Sequence, residues 1–400
     1  MAKLIMILGA GPEQVLAIHA AQNLGYKVLA VDENSEAPGL KIAESGFSYS
    51  LQDTDRLISL AKKYKIDGVF SHGVEIPIII AKIAKSLGLP GLPVHVAENC
   101  LHKFKRNQIL KNNGLNVPAS FLFKSLKDLT SVRDKLKFPC ILKPLTLSGA
   151  RGVMRIDTLD QLIDTIQTNQ IYQNEFLVEE ILDGIQLSTE SIILDNKIFH
   201  LPPAKRNYEN HKFYLPFYIE DGVDFPAQLT EVTLQEIYRA IENSIQALGI
   251  NFGAAKGDLY IVDGKPYILE MASRTSGGWF SVGTIKYATG IDILTPLIQA
   301  CVGDEPNLDC LVATKNLSAA QRYWISKEKG IFKSVQNNNT PQFLSNMSQF
   351  DVFFPPEGLK MIKAKSHSDR YAQVICTSNN IQDAISAAEG VINNLKVTYE

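Results

Sequence analysis

One stretch constrains this chain more than any other: Gly253 to Gly278, reading GAAKGDLYIVDGKPYILEMASRTSGG. Two runs rich in β-formers, Lys256–Val262 and Pro266–Met271, flank Asp263-Gly264, a pair that favours a hairpin turn. Each run carries an acid, Asp258 and Glu270. Whether the two share a face is a matter of parity. A two-residue turn pairs residues whose numbers have an odd sum and sends the acids to opposite faces. A three-residue loop, with Gly264 left-handed and a bulge, gives an even sum and points both carboxylates the same way. The second geometry is our expectation; the plain alternative is an edge hairpin with two solvated acids. Facing carboxylates repel unless a proton or a cation lies between them. Oxygen-only ligands suit Mg²⁺, which binds through one or two carboxylates and shares itself with phosphates. Arg274 and Ser276-Gly277-Gly278 follow at once, offering a cation and accessible backbone N–H groups to an anion.

The rest of the chain leaves room for such a site. Four hundred residues make two or three domains with a large core. The composition is that of a globular protein, 45% hydrophobic and 20% charged, with net charge −2. That balance makes no electrostatic case for nucleic acid or a membrane surface as partner. Five scattered cysteines without a CxxC pair argue for free thiols in a reducing cytoplasm, and against zinc or a disulfide framework. The opening MAKLIMILGAG reads as a first strand rather than a leader, and Val69–Ile83 is interrupted by His72, Glu75 and Lys82, so no membrane span is expected.

In chain order, Leu4–Leu8 reads as a strand, Gly9 to Pro12 as a tight turn, Glu13–Leu24 as a helix and Tyr26–Asp32 as a second strand. The dinucleotide fingerprint is incomplete, because Gln14 stands where a third glycine belongs. Asp32 could hold a ribose hydroxyl, but a glycine turn with no cofactor is the preferred reading. Glu98–Asn113 is expected as one helix carrying Lys103. Phe138–Lys143 is a strand ending in lysine, and the Leu145–Val153 loop that follows could lay N–H groups over phosphates. Glu175–Ile181 and Gln186–Leu194 read as strands, Ile198–Pro226 as an irregular aromatic loop, and Leu229–Leu248 as a helix stopped by Gly249.

The order of these pieces is specific: a lysine helix, FPCILKP with a glycine loop, LVEEILDG, then GDL…ILEMASRTSGG after an amphipathic helix. It resembles the ATP-grasp family across nearly the whole chain, and in detail the carboxylate–amine ligases of the L-amino-acid ligase kind. The resemblance implies an α/β fold with a Rossmann-like pre-ATP-grasp domain (residues 1–97), the ATP-grasp domain (98–310) and a small C-terminal α/β domain (311–400). It implies ATP with Mg²⁺, or Mn²⁺ in its stead. Lys103 and Lys143 would reach the phosphates, and Ser148, Gly149, Arg151 and Gly152 would form the loop closing over them. Glu179, Glu180 and Ile181 would be the adenine-holding hinge, with Gln186 at the ribose. Asp258 and Glu270 would ligate the metal. Lys143 and Arg274 would be the catalytic pair, Arg274 holding acyl phosphate or substrate. The partners implied are a small-molecule carboxylate and an amine in a cytoplasmic protein, with a homodimer as the common assembly.

The chain departs from the family at two places. Gln186 replaces the usual glutamate, so the ribose loses a charge-assisted bond and weaker nucleotide binding is expected. The usual E-x-N reads Glu270-Met271-Ala272, which removes an amide oxygen from the metal set. Either water replaces it, or one of two ions binds poorly. Within enzymes, the rival reading is carboxylation like that of the biotin carboxylases or carboxyaminoimidazole ribonucleotide synthase. A rival of another class is an ATP-binding regulator without catalysis. Glu75 and His211 are the candidates for a base toward the amine.

Overall fold

The computed structural model describes residues 2–129, 133–340 and 345–400. The chain begins with a parallel sheet of β1 (Leu4–Leu8), β2 (Lys27–Asp32), β3 (Ser45–Ser48) and β4 (Gly68–Phe70) in the order β3-β2-β1-β4. Ile5–Leu8 and Val28–Val31 are buried without alternation, because helices cover both faces of such a sheet. The helices are Val15–Asn23, the short Pro38–Ile42, Thr54–Tyr64 and Pro77–Leu87. Asp32 accepts from the N–H groups of Ala10 (2.7 Å), in the glycine turn, and Asn34 (2.8 Å), just after β2, so its carboxylate ties the turn to the strand end.

Where one helix was expected over Glu98–Asn113 there are two, Val94–Leu101 and Lys103–Asn112. His102 breaks them. It is extended, and its ring accepts the N–H of Lys105, so it starts the second helix as a cap. Next comes an antiparallel sheet of β5 (Ser120–Phe123), β6 (Cys140–Pro144), β7 (Met154–Ile156) and β8 (Phe176–Glu180) in the order β5-β8-β6-β7. Helix Leu159–Thr168 packs Leu162 and Ile166 onto its Phe123, Leu142 and Phe176.

A larger antiparallel sheet follows, with β9 (Ile185–Leu194), β10 (Lys197–His200), β11 (Ala204–Asn207), β12 (Gly222–Phe225), β13 (Gly253–Val262) and β14 (Lys265–Ala272). The segment 198–226 is thus not a structureless loop. Its strands are only four residues each, and Pro202-Pro203 separates β10 from β11, which hides the period-2 pattern. Helix Glu231–Leu248 is capped by Thr230 and ended by left-handed Gly249. It buries Ile237, Ile241 and Ile245 against Leu259, Ile268 and Met271 of the β13–β14 hairpin.

Beyond residue 311 lie β15 (Ser318–Ile325), β16 (Gly330–Asn337), β17 (Met347–Val352), β18 (Lys360–Met361), β19 (Arg370–Ser378) and β20 (Leu395–Tyr399). Three of them continue the large sheet, in the order β14-β13-β9-β11-β12-β15-β19-β17, and β18-β16-β20 make a small sheet of their own. Helix Ile381–Asn393 covers β15 and β19 through Ala384, Ala388 and Val391. We propose the divisions at residues 97 and 310 as an organisation of the chain; the second falls within a continuous sheet.

Candidate functional site

The central hairpin brings its acids together by a different route from the one expected. Its turn has two residues: Val262 pairs with Lys265, and Asp263 and Gly264 both have positive φ, 48° and 74°. Asp-Gly is suited to this turn, whose twist matches that of the strands. From Val262 to Leu259 the pairing has odd parity. The register then slips, Leu269 is left without a partner, and Asp258 faces Glu270. The bulge therefore lies at Leu269 and not at Gly264, and the loop is not a three-residue one. A bulge frees a ladder carbonyl. Here the Leu269 carbonyl accepts from Nη2 of Arg106 at 2.9 Å.

Asp258 is buried and almost saturated with donors. Ser188 Oγ donates to it at 2.7 Å, Arg206 Nη1 lies at 2.8 Å, and Lys256 is ion-paired with it. The Lys256 ammonium is also 3.5 Å from Glu270, so it occupies the space between the two acids. Burial pushes the Asp258 carboxyl up, but Lys256 and Arg206 together outweigh that and hold it below its usual range. Lys256 is also the main reason that Glu270 stays well below the ordinary glutamate value, helped by Arg106, Lys103 and Arg274. Both acids are anions.

These groups open on a cleft of about 620 Å³ between the two antiparallel sheets. Every residue of the expected nucleotide and metal set lines it except Arg151 and Gly152. The Arg151 guanidinium turns back onto the Ser148 carbonyl (3.0 Å), and left-handed Gly152 lies behind the loop with its carbonyl taken by the Tyr172 hydroxyl. Lys103 donates to the carbonyls of Leu145 (3.1 Å) and Leu147 (2.8 Å), tying its helix to the glycine loop. Burial pushes its pKa down to about 8 against the opposing pull of Glu270.

Lys143 is ion-paired with buried Glu179, whose other oxygen accepts from Asn107 at 3.2 Å. The Glu179 side chain thus positions a lysine. The Glu180 amide, expected to face a base, donates to the Ala119 carbonyl at 3.0 Å, and its carboxylate accepts from the Ala119 N–H at 2.8 Å. Gln186 lines the cleft from β9, as does Ile181 just beyond β8.

The turn Arg274–Gly278 corrects another expectation. The N–H groups of Ser276 and Gly278 are not open to an external anion, because carboxylates of the protein accept from them. Ser276 donates to Glu190 at 3.0 Å, and Gly278 and Trp279 donate to Glu13 at 3.0 and 2.9 Å. Glu13 also lies 3.0 Å from His72 Nε2, and His72 Nδ1 is 2.9 Å from Thr275 Oγ1. The first sheet's loops are thereby fastened to the end of β14. Arg274 donates to Glu75 and to the Thr275 carbonyl (3.0 Å), so Glu75 is a partner of arginine rather than a free base. His211 is bonded to the Tyr208 carbonyl at 2.8 Å and does not line the cleft.

The donor set fits a hard cation escorting an anionic chain. All the candidate ligands are oxygens, which suits Mg²⁺ or Mn²⁺. Among the described residues no group of three or more His, Cys, Asp or Glu could hold an ion alone. Asp258 and Glu270 would hold such an ion only with further oxygens from water or a ligand; Lys103 and Lys143 line the same cleft.

The chain is similar to several known proteins. The D-ala D-ala ligase C-terminus family model matches residues 109–281, which includes Lys143, Asp258, Glu270 and Arg274. The solved L-amino acid ligase from Bacillus licheniformis aligns over 100% of this chain and 99% of its own, with TM-score 0.86 and 24% identity. This is an ATP-grasp fold.

The curated protein y4rH of Sinorhizobium fredii, itself described as uncharacterized, is 20% identical over 342 residues, 84% of this chain and 69% of its own. The carbamoyl phosphate synthase large chain of Pseudothermotoga lettingae is 23% identical over 326 residues, 75% of this chain but only 28% of that larger protein. No helix among the described residues is long and apolar enough to cross a membrane. Sequence reasoning missed Lys256, Arg206 and Glu13. Lys256 had a signal, since a residue two before Asp258 on a strand shares its face. Arg206 was lost in the segment read as loop. Nothing local marks Glu13.

Proposed function

We propose that the chain is an ATP-dependent carboxylate–amine ligase. The observation that carries this reading is the facing of Asp258 and Glu270 across one cleft with Lys103, Lys143 and Arg274. A carboxylate is a poor electrophile, because its leaving group would be oxide. Attack of its oxygen on the γ-phosphorus of ATP gives a mixed anhydride with phosphate as leaving group, and releases ADP. Two anions must then meet, which needs strong screening. Lys103 and Lys143 would supply it along the triphosphate, and Arg274 at the carboxylate. Asp258 and Glu270 would hold a divalent ion, which would supply positive charge against that developing on the phosphates. Ser148 and Gly149 would cover the phosphates and keep water from the anhydride. The amine attacks the acyl carbon, phosphate leaves, and the amine's proton passes to solvent or to an acceptor on the substrates.

The similarity to ligases named for amino acids supports amino-acid-like substrates, without naming either one. The test is release of ADP and phosphate across a matrix of carboxylic acids and amines with Mg²⁺ and ATP. We expect turnover that needs both an acid and an amine. Turnover that needs bicarbonate and a ribonucleotide would assign a carboxylase instead. Tight ATP binding without ADP from any pairing would assign a non-catalytic binder.

A further inference from the structure

Each carboxylate that lines the cleft already holds a donor of the protein. Glu13 and Glu180 accept backbone N–H groups, Glu75 holds Arg274, Glu179 holds Lys143 and Glu220 holds Arg206. Lys256 sits with Asp258 and Glu270. None of these acids can take the proton that an attacking amine sheds without weakening a bond the fold uses. His367 is different. It lines the same cleft, and its Nε2 is shielded from solvent yet finds no hydrogen-bond partner among the described residues. Such an atom calls for a partner from outside the chain.

The ring is held where an acyl phosphate would form. The His367 backbone N–H donates to the Gly149 carbonyl at 3.0 Å, so the imidazole stands beside the loop proposed to cover the phosphates. The turn that carries it is pinned from within. Asp369 accepts from the N–H groups of Lys365 (2.9 Å) and Ser366 (3.0 Å), and Ser366 Oγ accepts from that of Ser368 (3.3 Å). Beyond the turn, Arg370 donates to the Glu220 carbonyl at 2.8 Å and lies over the Tyr323 ring at 3.8 Å. Burial, with Arg370, Arg206 and Lys256 nearby, holds the imidazole well below its usual pKa against the pull of Glu270, so the ring is neutral. A neutral ring has one nitrogen able to accept. A bound triphosphate would counter those cations and strengthen the ring's hold on a proton when the reaction needs it.

We infer that His367 Nε2 accepts the proton of the attacking amine and passes it to solvent, which makes this imidazole the base of the second half-reaction. The inference rests on the reading of the cleft as a ligase site. As the nitrogen bonds to the acyl carbon, the bond from that carbon to the phosphate oxygen breaks, and phosphate leaves with the electron pair. The proton shed by nitrogen goes to Nε2, and from the half-buried ring to water. Phosphoryl transfer to the carboxylate comes earlier and needs no base, because a carboxylate has no proton to lose.

The test separates the two halves in the full chain with Mg²⁺, ATP and the acid–amine pair that turns over fastest. Hydroxylamine is the probe nucleophile: it traps the acyl phosphate as a hydroxamate, and its weakly basic nitrogen gives up a proton to water without help. In His367→Gln, which keeps the backbone bond to Gly149, amide formation should fall by about 10²-fold while hydroxamate forms at the wild-type rate. In His367→Ala, added imidazole should restore the amide, and this arm decides the matter where the glutamine variant melts early. An equal fall in amide and hydroxamate would overturn the inference by assigning His367 to the loop and nucleotide. So would an amide rate that is unchanged in the variant or not restored by imidazole. A wild-type chain that forms neither amide nor hydroxamate from any acid would overturn the ligase reading itself.

Discussion

Arg106, itself 1% exposed, donates to the carbonyl of Leu269, the residue left out of register in the β13–β14 ladder. That bond satisfies the group a bulge exposes, and the bulge sets the parity that turns Glu270 toward Asp258. Arg106→Met removes the donor to Leu269 and also the bond to the Cys100 carbonyl (3.2 Å), at a cost of about 1–3 kcal/mol for each carbonyl left unpaired. We expect a lower midpoint in chemical unfolding together with roughly tenfold weaker binding of Mg²⁺-nucleotide. Unchanged binding in a folded variant would show that the bulge does not depend on this bond.

Lys143 and Glu179 form a largely buried pair, so removing Lys143 leaves Glu179 charged with only the Asn107 amide as partner. Lys143→Ala should lower ADP formation by about 10²–10³-fold. It should also lose about 3–5 kcal/mol of stability through the unpaired Glu179. Adding Glu179→Gln is expected to recover stability but not turnover, as read by thermal melts and steady-state ADP assays. Recovery of turnover would mean that Lys143 acts only as the counter-ion of Glu179.

Gly73 and Gly277 bring two backbones together where the first sheet meets the end of β14. A Cβ on Gly277 would lie 2.9 Å from the Gly73 carbonyl oxygen. Backbone cannot step aside as a side chain can, so Gly277→Ala should cost about 1–3 kcal/mol. The expected readouts are a lower unfolding midpoint and faster proteolysis between the first sheet and the rest of the chain.

Lys103 gives the site a pH dependence whose two consequences have opposite signs. Burial pushes its pKa down to about 8, from 10.5. Between those values the unfolded chain holds more protons than the folded one, so this group's contribution makes stability rise with pH. Over the same window the ammonium, and its attraction for phosphate, is lost. Nucleotide affinity should therefore fall above about pH 8, approaching tenfold per unit as binding takes up one proton. Titrating with ADP from about pH 7 to about pH 10 checks this. Lys103→Arg, charged throughout, should flatten the profile.

Much of this was legible in the sequence because the signals are local. Strand, turn and acid recur within a few residues in Gly253–Gly278, and Lys143 ends an apolar strand just before a glycine loop. What escaped depends on distant partners. Whether the bulge falls at Gly264 or Leu269 is settled by where a donor waits to take the freed carbonyl, and Arg106 is far away in sequence. The N–H groups of Ser276 and Gly278 looked available because their acceptors, Glu190 and Glu13, come from other elements. The short strands around Arg206 follow from pairing with β9 and β15, not from their own propensity.

In the reaction proposed, one carboxylate oxygen passes to the γ-phosphoryl group of ATP and leaves with phosphate. The direct measurement uses the acid selected by the substrate matrix, labelled with ¹⁸O in both carboxyl oxygens, with mass analysis of the phosphate released. One ¹⁸O is expected in each phosphate formed, in step with product. Phosphate that carries no label, while product still forms, would contradict it.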